Sequence, residues 1–190
     1  MKRLILASSS PRRRELLRNA GFGFEVVPSS VDETGAEQDS PAAFAERLAR
    51  RKADEVASRF AAQDGVVVLG ADTVVVVDGA VLGKPGSAEE AVAMLGRLSG
   101  REHEVITGVA LAAPGTARRA VAHEVTRVFF RPLTRQEIEA YVASGEPMDK
   151  AGAYGVQGQA SRFVTRVEGC YFNVMGLPVA LVDRLLREWD

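Results

Sequence analysis

A single cysteine, Cys170, stands among 190 residues, so no intrachain disulfide forms and a reducing, cytoplasmic setting is expected. Net charge is nearly absent too: 24 Lys and Arg face 25 Asp and Glu, a formal charge of −1. That balance argues against partners held by bulk charge, polymeric nucleic acid and anionic membrane surfaces included. Long apolar runs are missing. The longest uncharged stretch, Gly169 to Val182, has 14 residues and contains Asn173, two glycines and Pro178, against the roughly 20 apolar residues of a membrane helix. The start, Met1-Lys2-Arg3, imitates the basic end of a secretory signal, but only four apolar residues follow before Ser8-Ser9-Ser10-Pro11. A signal core needs roughly 7–15. The segment reads as a first β-strand, and a soluble protein is expected.

Familiar catalytic signatures are lacking as well. There is no Gly-x-x-x-x-Gly-Lys-Ser/Thr phosphate loop and no Gly-x-Gly-x-x-Gly opening a helix. Two histidines, His103 and His123, sit on expected strands without metal-pair spacing. Cys170, before Tyr171-Phe172 in an apolar context, is expected to be a small buried residue rather than a nucleophile.

What is present is an ordinary globular composition, 46% hydrophobic, enough for a sizeable core in a single domain spanning residues 1–190. Ser10-Pro11 and Ser40-Pro41 each place a hydroxyl cap before a first-turn proline, opening helices that run to about residue 20 and about Ala62. Ser87 with Glu90 and Thr134 with Glu137 have capping-box spacing. Strands are expected at 3–7, 24–28, 66–77, 80–83, 105–113, 120–130 and 162–168, with Asp78-Gly79 as a two-residue hairpin turn. Residues 146–161 read as a glycine-rich loop. Interspersed helices and strands favour an α/β fold, and the hairpins make its sheet mixed.

Local charge is far from balanced. Residues 1–18 carry Lys2, Arg3, Arg12, Arg13, Arg14 and Arg18 against Glu15 alone, whereas residues 19–46 hold six acids and no base. The strand-to-helix turn at Ser8-Ser9-Ser10-Pro11-Arg12-Arg13 presents free N–H groups and the positive end of a helix dipole. Arginines there repel one another and oppose the dipole, which an anion would relieve through bidentate guanidinium contacts. A solvated basic helix face is the plainer alternative.

Asp72 is the second anomaly. It lies between Val66-Val67-Val68-Leu69 and Val74-Val75-Val76-Val77, where an ionised carboxylate is costly unless paired or bound to metal. Gly70 would permit a bulge that re-aims Asp72; alternatively Gly70 to Thr73 is a turn that Asp72 caps. Lys84 after the hairpin and Lys52 among Arg47, Arg50 and Arg51 are available cations, though a lone lysine is usually a surface residue. In the glycine-dense Asp149–Gly158 segment, Tyr154 and Gln157 offer stacking and an amide, or else the segment is a plain surface connection.

Together, Ser8-x-Ser10-Pro11-Arg12-Arg13, Gly70-Ala71-Asp72-Thr73, Lys84-Pro85, Asp149-Lys150-Ala151-Gly152-x-Tyr154-x-x-Gln157-Gly158 and Gly176-Leu177-Pro178 resemble the Maf family of nucleoside triphosphate pyrophosphatases, and most of all its branch acting on dTTP and UTP. The resemblance implies a mixed twisted β-sheet flanked by helices, related to inosine triphosphate pyrophosphatases, with an active-site cleft between two lobes. It also implies hydrolysis of a triphosphate to monophosphate and pyrophosphate with Mg²⁺ (or Mn²⁺), and a homodimer. By motif position Asp72 corresponds to the proton acceptor, and Arg12, Thr73 and Gln157 to the specificity-setting residues. Glu33, Lys52 and Lys84 fall at further active-site positions.

The chemistry is compatible with those roles. Cations at Arg12, Arg13, Lys52 and Lys84, with the hydroxyls of Ser8 and Ser10, suit a triphosphate and its anionic leaving group. Asp72 and Glu33 suit a metal ion or the attacking water. The Gln157 amide both accepts and donates, matching the N3–H and a carbonyl of uracil or thymine. A nucleotide-binding regulator of septum formation would keep the basic turn yet tolerate loss of Asp72 and Glu33; both acids are present. A nucleic-acid-binding module would need a wider basic surface, against which the acidic stretch 19–46 argues.

Overall fold

The structure, a computed structural model, describes residues 3–32, 40–60, 63 and 65–189. In chain order the elements are β1 (Arg3–Leu6), α1 (Pro11–Asn19), β2 (Phe24–Val26), α2 (Pro41–Ser58), β3 (Val66–Val77), β4 (Ala80–Leu82), α3 (Ala88–Leu98), β5 (Glu102–Ala112), β6 (Arg119–Phe130), α4 (Arg135–Ala143), β7 (Val164–Glu168), α5 (Tyr171–Val174) and α6 (Val179–Glu188). The seven strands form a mixed sheet in the order β2-β1-β3-β5-β6-β7, with β4 also on β3. β1 is parallel to both β2 and β3, whereas β4 and β7 are antiparallel to β3 and β6. This is the mixed α/β class expected. The chain divides into two compact units, 1–73 with 107–124 and 176–190, and 74–106 with 125–175.

Local chemistry sets the element ends. Ser10, Ser40 and Ser87 each accept a hydrogen bond from the backbone N–H three residues on, and Pro11 and Pro41 occupy first-turn positions. Thr134 and Glu137 form the reciprocal box. At α3 the arrangement differs: Glu90 Oε2 accepts from Gly86 N at 2.7 Å, one residue ahead of the cap. Asp78 and Gly79 both adopt positive φ (53° and 73°), the backbone that a two-residue hairpin needs to match strand twist. Helix α2 ends at Ser58, short of the expected Ala62, and Gln159–Phe163 is a 3₁₀ turn leading into β7 rather than the start of a strand. Two further 3₁₀ turns, Glu146–Asp149 and Ala151–Ala153, break up the expected loop.

The first unit is organised by a close approach of helix to strand. Ile5, Ala49, Ala53, Val56, Val66 and Val68 share one buried cluster. Ala45, Ala49 and Ala53 recur every four residues, a stripe without bulk on one face of α2. Opposite it lie two strand glycines. A Cβ on Gly70 would stand 2.2 Å from Ala49 O, and one on Gly108 would stand 2.3 Å from Ala45 O. Gly70 therefore serves backbone contact, and β3 runs unbroken through Gly70 to Thr73, where a turn was one expectation.

The second unit holds an aromatic core. Phe130 makes edge contacts with His103, Tyr154 and Phe163 at centroid separations of 5.0, 4.9 and 6.0 Å, and Tyr141 meets Phe163 at 5.4 Å. His103 is 3% exposed; its Nε2 lies 2.8 Å from Tyr154 Oη. Burial pushes the imidazole down to about 4 from its ordinary 6.5. Between those values the unfolded chain binds a proton that the native state does not, so stability rises with pH across the window. We predict that acidification from pH 6.5 to 4 removes up to about 3 kcal/mol through this group. Urea unfolding of wild type and His103→Gln at both pH values checks it: the variant should lose correspondingly less, and equal losses would refute the assignment.

Candidate active site

The site begins where β1 ends. Ser8 Oγ accepts from Ser10 N at 3.2 Å, and Ser10 Oγ caps α1 by accepting from Arg13 N at 3.4 Å. Together they shape the turn whose helix has no acid in its first turn, so the dipole and the arginines add to one positive potential. Arg12 is half-buried and Arg13 buried. The Arg13 guanidinium donates from Nε to Gly176 O at 2.8 Å, from Nη1 to Ser8 Oγ at 3.4 Å and from Nη2 to Thr73 Oγ1 at 3.0 Å. It thus braces the turn against β3 and the segment leading into α6, a positioning task beyond the phosphate contact expected of it.

Asp72 and Lys52 face one another because of the packing described above. Side chains alternate along a strand, so Val66, Val68, Gly70 and Asp72 share the face that meets α2. On α2, Lys52 lies beside Ala49 and Ala53. The outcome is a buried ion pair, Lys52 Nζ to Asp72 Oδ1 at 2.6 Å, with both residues 7% exposed. Lys52, an available cation in the sequence that residue type alone would more often leave at the surface, is the partner that makes a strand-centre carboxylate tolerable.

Thr73 points the other way. Its Oγ1 lies 2.9 Å from Thr107 Oγ1 on β5 and 3.4 Å from Gly176 O, besides the Arg13 contact. Thr107 is fully buried and was not singled out from the sequence. Its signal was available: a hydroxyl between Ile106 and Gly108 in an apolar strand is the same kind of anomaly as Asp72.

The structure therefore brings together Ser8, Ser10, Arg13 and Thr73 in one network, with Asp72 and Lys52 paired at the adjoining strand position. Lys84 and Gln157 belong to the second unit, where both are exposed. Glu33 lies outside the described residues. Tyr154 is 6% exposed and packed on Phe130, which corrects the idea that it stacks on a ligand. Cys170 is half-buried, not buried, because it sits at the start of α5 with its backbone N and O both bonded to Thr126 Oγ1. Among the described residues no three His, Cys, Asp or Glu side chains gather as a metal cluster, and no helix is long and apolar enough to cross a membrane. A buried carboxylate held by an ammonium, beside a cationic helix N-terminus, suits an anionic substrate and a proton transfer.

Removing Lys52 alone leaves the Asp72 charge buried without its partner. We predict that Lys52→Met destabilises the fold by about 3 kcal/mol, whereas adding Asp72→Leu recovers most of it. Urea midpoints at unchanged m-value are the measurement; a double variant no more stable than Lys52→Met would refute the pairing.

The sequence signature of the Maf-like protein family matches residues 3–189. A protein of Symbiobacterium thermophilum named dTTP/UTP pyrophosphatase is 54% identical over 189 residues, covering 100% of this chain and 95% of that one. One of the same name from a Geobacillus species is 53% identical over 188 residues, covering 99% and 97%. Among solved structures, the Ham1 protein of Staphylococcus aureus is similar across 100% of both chains, with a TM-score of 0.50 at 15% identity, a likeness of fold.

Proposed function

The chain belongs to the Maf-like protein family, and on that premise we propose that it hydrolyses dTTP and UTP to the monophosphate and pyrophosphate. The observation that carries this reading is the buried Asp72–Lys52 pair, one residue from the Thr73 hydroxyl bonded to Arg13. The relatives' name supplies the substrate class; the residues supply a way to act on it.

Water attacks the α-phosphorus, a new P–O bond forms, and the bond to the bridging oxygen of the β-phosphate breaks. Asp72 accepts the water's proton, while Lys52 holds the carboxylate through Oδ1 so that it is already oriented when substrate arrives. The α1 N-terminus and Arg12 offset charge on the triphosphate, and Lys84 contributes a further cation. Arg13, Ser8 and Ser10 hold the turn in shape. Gln157 reads the pyrimidine edge by accepting from N3–H and donating to a carbonyl.

The donor set fits Mg²⁺, which takes hard oxygen ligands from one or two carboxylates together with water and substrate phosphate rather than a full protein cage. Asp72 would hold it, with Glu33 as the second carboxylate. When bound, the ion polarises phosphoryl oxygens and neutralises leaving-group charge; Mn²⁺ has the same preferences.

Incubation of the pure protein with a panel of triphosphates and Mg²⁺ or Mn²⁺, with products resolved, tests the reaction. Monophosphate and pyrophosphate are expected; orthophosphate, or no turnover, would overturn it. Asp72→Asn should abolish turnover yet leave nucleotide affinity within about tenfold, and wild-type rates in that variant would remove Asp72 from the chemistry. Replacing the amide by a carboxylate in Gln157→Glu eliminates the donor, so the preference for pyrimidines over guanine nucleotides should weaken. An unchanged substrate profile would count against that contact.

A further inference from the structure

The segment carrying Gln157 is clamped on both sides by two residues that the reaction itself does not use. Gly155 N donates to Tyr141 Oη at 3.3 Å, two residues ahead of Gln157. Tyr141 Oη donates in turn to Glu146 Oε1 at 2.9 Å. Two residues beyond Gln157, Gln159 N donates to both Glu146 oxygens at 3.1 Å. One phenol and one carboxylate thus grip the backbone on either side of a single exposed side chain.

The clamp is rigid at its base. Tyr141 is fully buried on α4, its ring set edge-on to Phe163. Burial, more than any other influence, raises the phenol above its ordinary pKa, so it keeps the proton it donates. The glycines flanking Gln157 are what allow the grip. A Cβ on Gly158 would stand 2.0 Å from Glu146 Oε1, and one on Gly155 would stand 2.8 Å from Lys150 Cε. Lys150 closes the base, its Nζ donating to Glu146 O and Asp149 Oδ1, each at 2.6 Å. Val156, next to Gln157, is buried. With the chain fixed at 155, 156 and 159, the amide has little room to move except about its own side-chain torsions.

We propose that Tyr141 and Glu146 are positioning residues for Gln157, so that selectivity among nucleoside triphosphates depends on this pair although neither touches the base. The proposal rests on the base-reading role given to Gln157 above. An amide that discriminates by two hydrogen bonds loses discrimination once it can swing, because a mobile side chain also satisfies other base edges.

The test is the ratio of kcat/KM for dTTP to that for dGTP, with both substrates measured on each preparation. Loss of folded protein lowers both values equally and cancels, so a merely structural role leaves the ratio unmoved. Tyr141→Phe and Glu146→Gln are each expected to lower the ratio at least about fivefold, and Glu146→Gln keeps the side chain's shape if Tyr141→Phe folds poorly. Gln157→Ala is the control for the premise. Combining it with Tyr141→Phe should cause no further drop, since the clamp acts through Gln157. If Gln157→Ala lowers the ratio and neither clamp variant does, the proposal is overturned and the premise stands. A further drop in the combined variant also overturns it. If Gln157→Ala leaves the ratio unchanged, the base-reading premise itself fails.

Discussion

Everything at the candidate site depends on how closely α2 lies against β3 and β5. At Gly70 and Gly108 a single methyl group would collide with the helix backbone, and the alanine stripe of α2 adds no bulk of its own. A lysine at position 52 reaches a strand carboxylate only because that separation is so small. The ion pair is therefore a product of packing: remove the close approach and both charges stay buried without each other, a state more costly than either exposed alone. The same contact explains why an aspartate persists at the centre of a strand otherwise made of valine and leucine.

Around that contact the site is assembled from backbone and hydroxyl groups more than from charges. Ser8 and Ser10 shape a turn, and Arg13 ties the turn to Thr73 and to a carbonyl of the segment before α6. A guanidinium used in this way works as a rigid fork whose donors fix several acceptors at once. Arg12, its neighbour, is half-buried where Arg13 is buried. Two adjacent arginines of identical chemistry thus differ in burial, and the buried one serves as the brace.

Much of this was legible in the sequence wherever the cause is local. Serine-proline caps, the Thr134–Glu137 box and the Asp78-Gly79 turn each act within four residues, and each forms where its residues stand. Asp72 was legible as an anomaly because desolvation of a carboxylate is a local cost. Its partner was not, since Lys52 is defined by a helix–strand approach that no window of sequence contains. The Gly176 carbonyl was hidden for the same reason, whereas Thr107 stood in view as a hydroxyl in an apolar strand. Tyr154 misled in the opposite direction: its glycine-rich surroundings look like an open loop, whereas 3₁₀ turns fold that stretch back and deliver the ring to the core. Cys170 looked buried from its apolar neighbours, but backbone bonds to Thr126 hold it at a helix start.

The Arg13–Gly176 hydrogen bond joins residues 163 apart in the chain, and the first unit as a whole is drawn from three stretches, the last beginning at Gly176. Contacts of such span form late, because their loop-closure entropy must be met before they stabilise anything. During synthesis the turn at Ser8 emerges well before the Gly176 carbonyl that completes its brace. A chain synthesised only part of the way to Gly176 accordingly holds basic turn and carboxylate strand without the link that organises them.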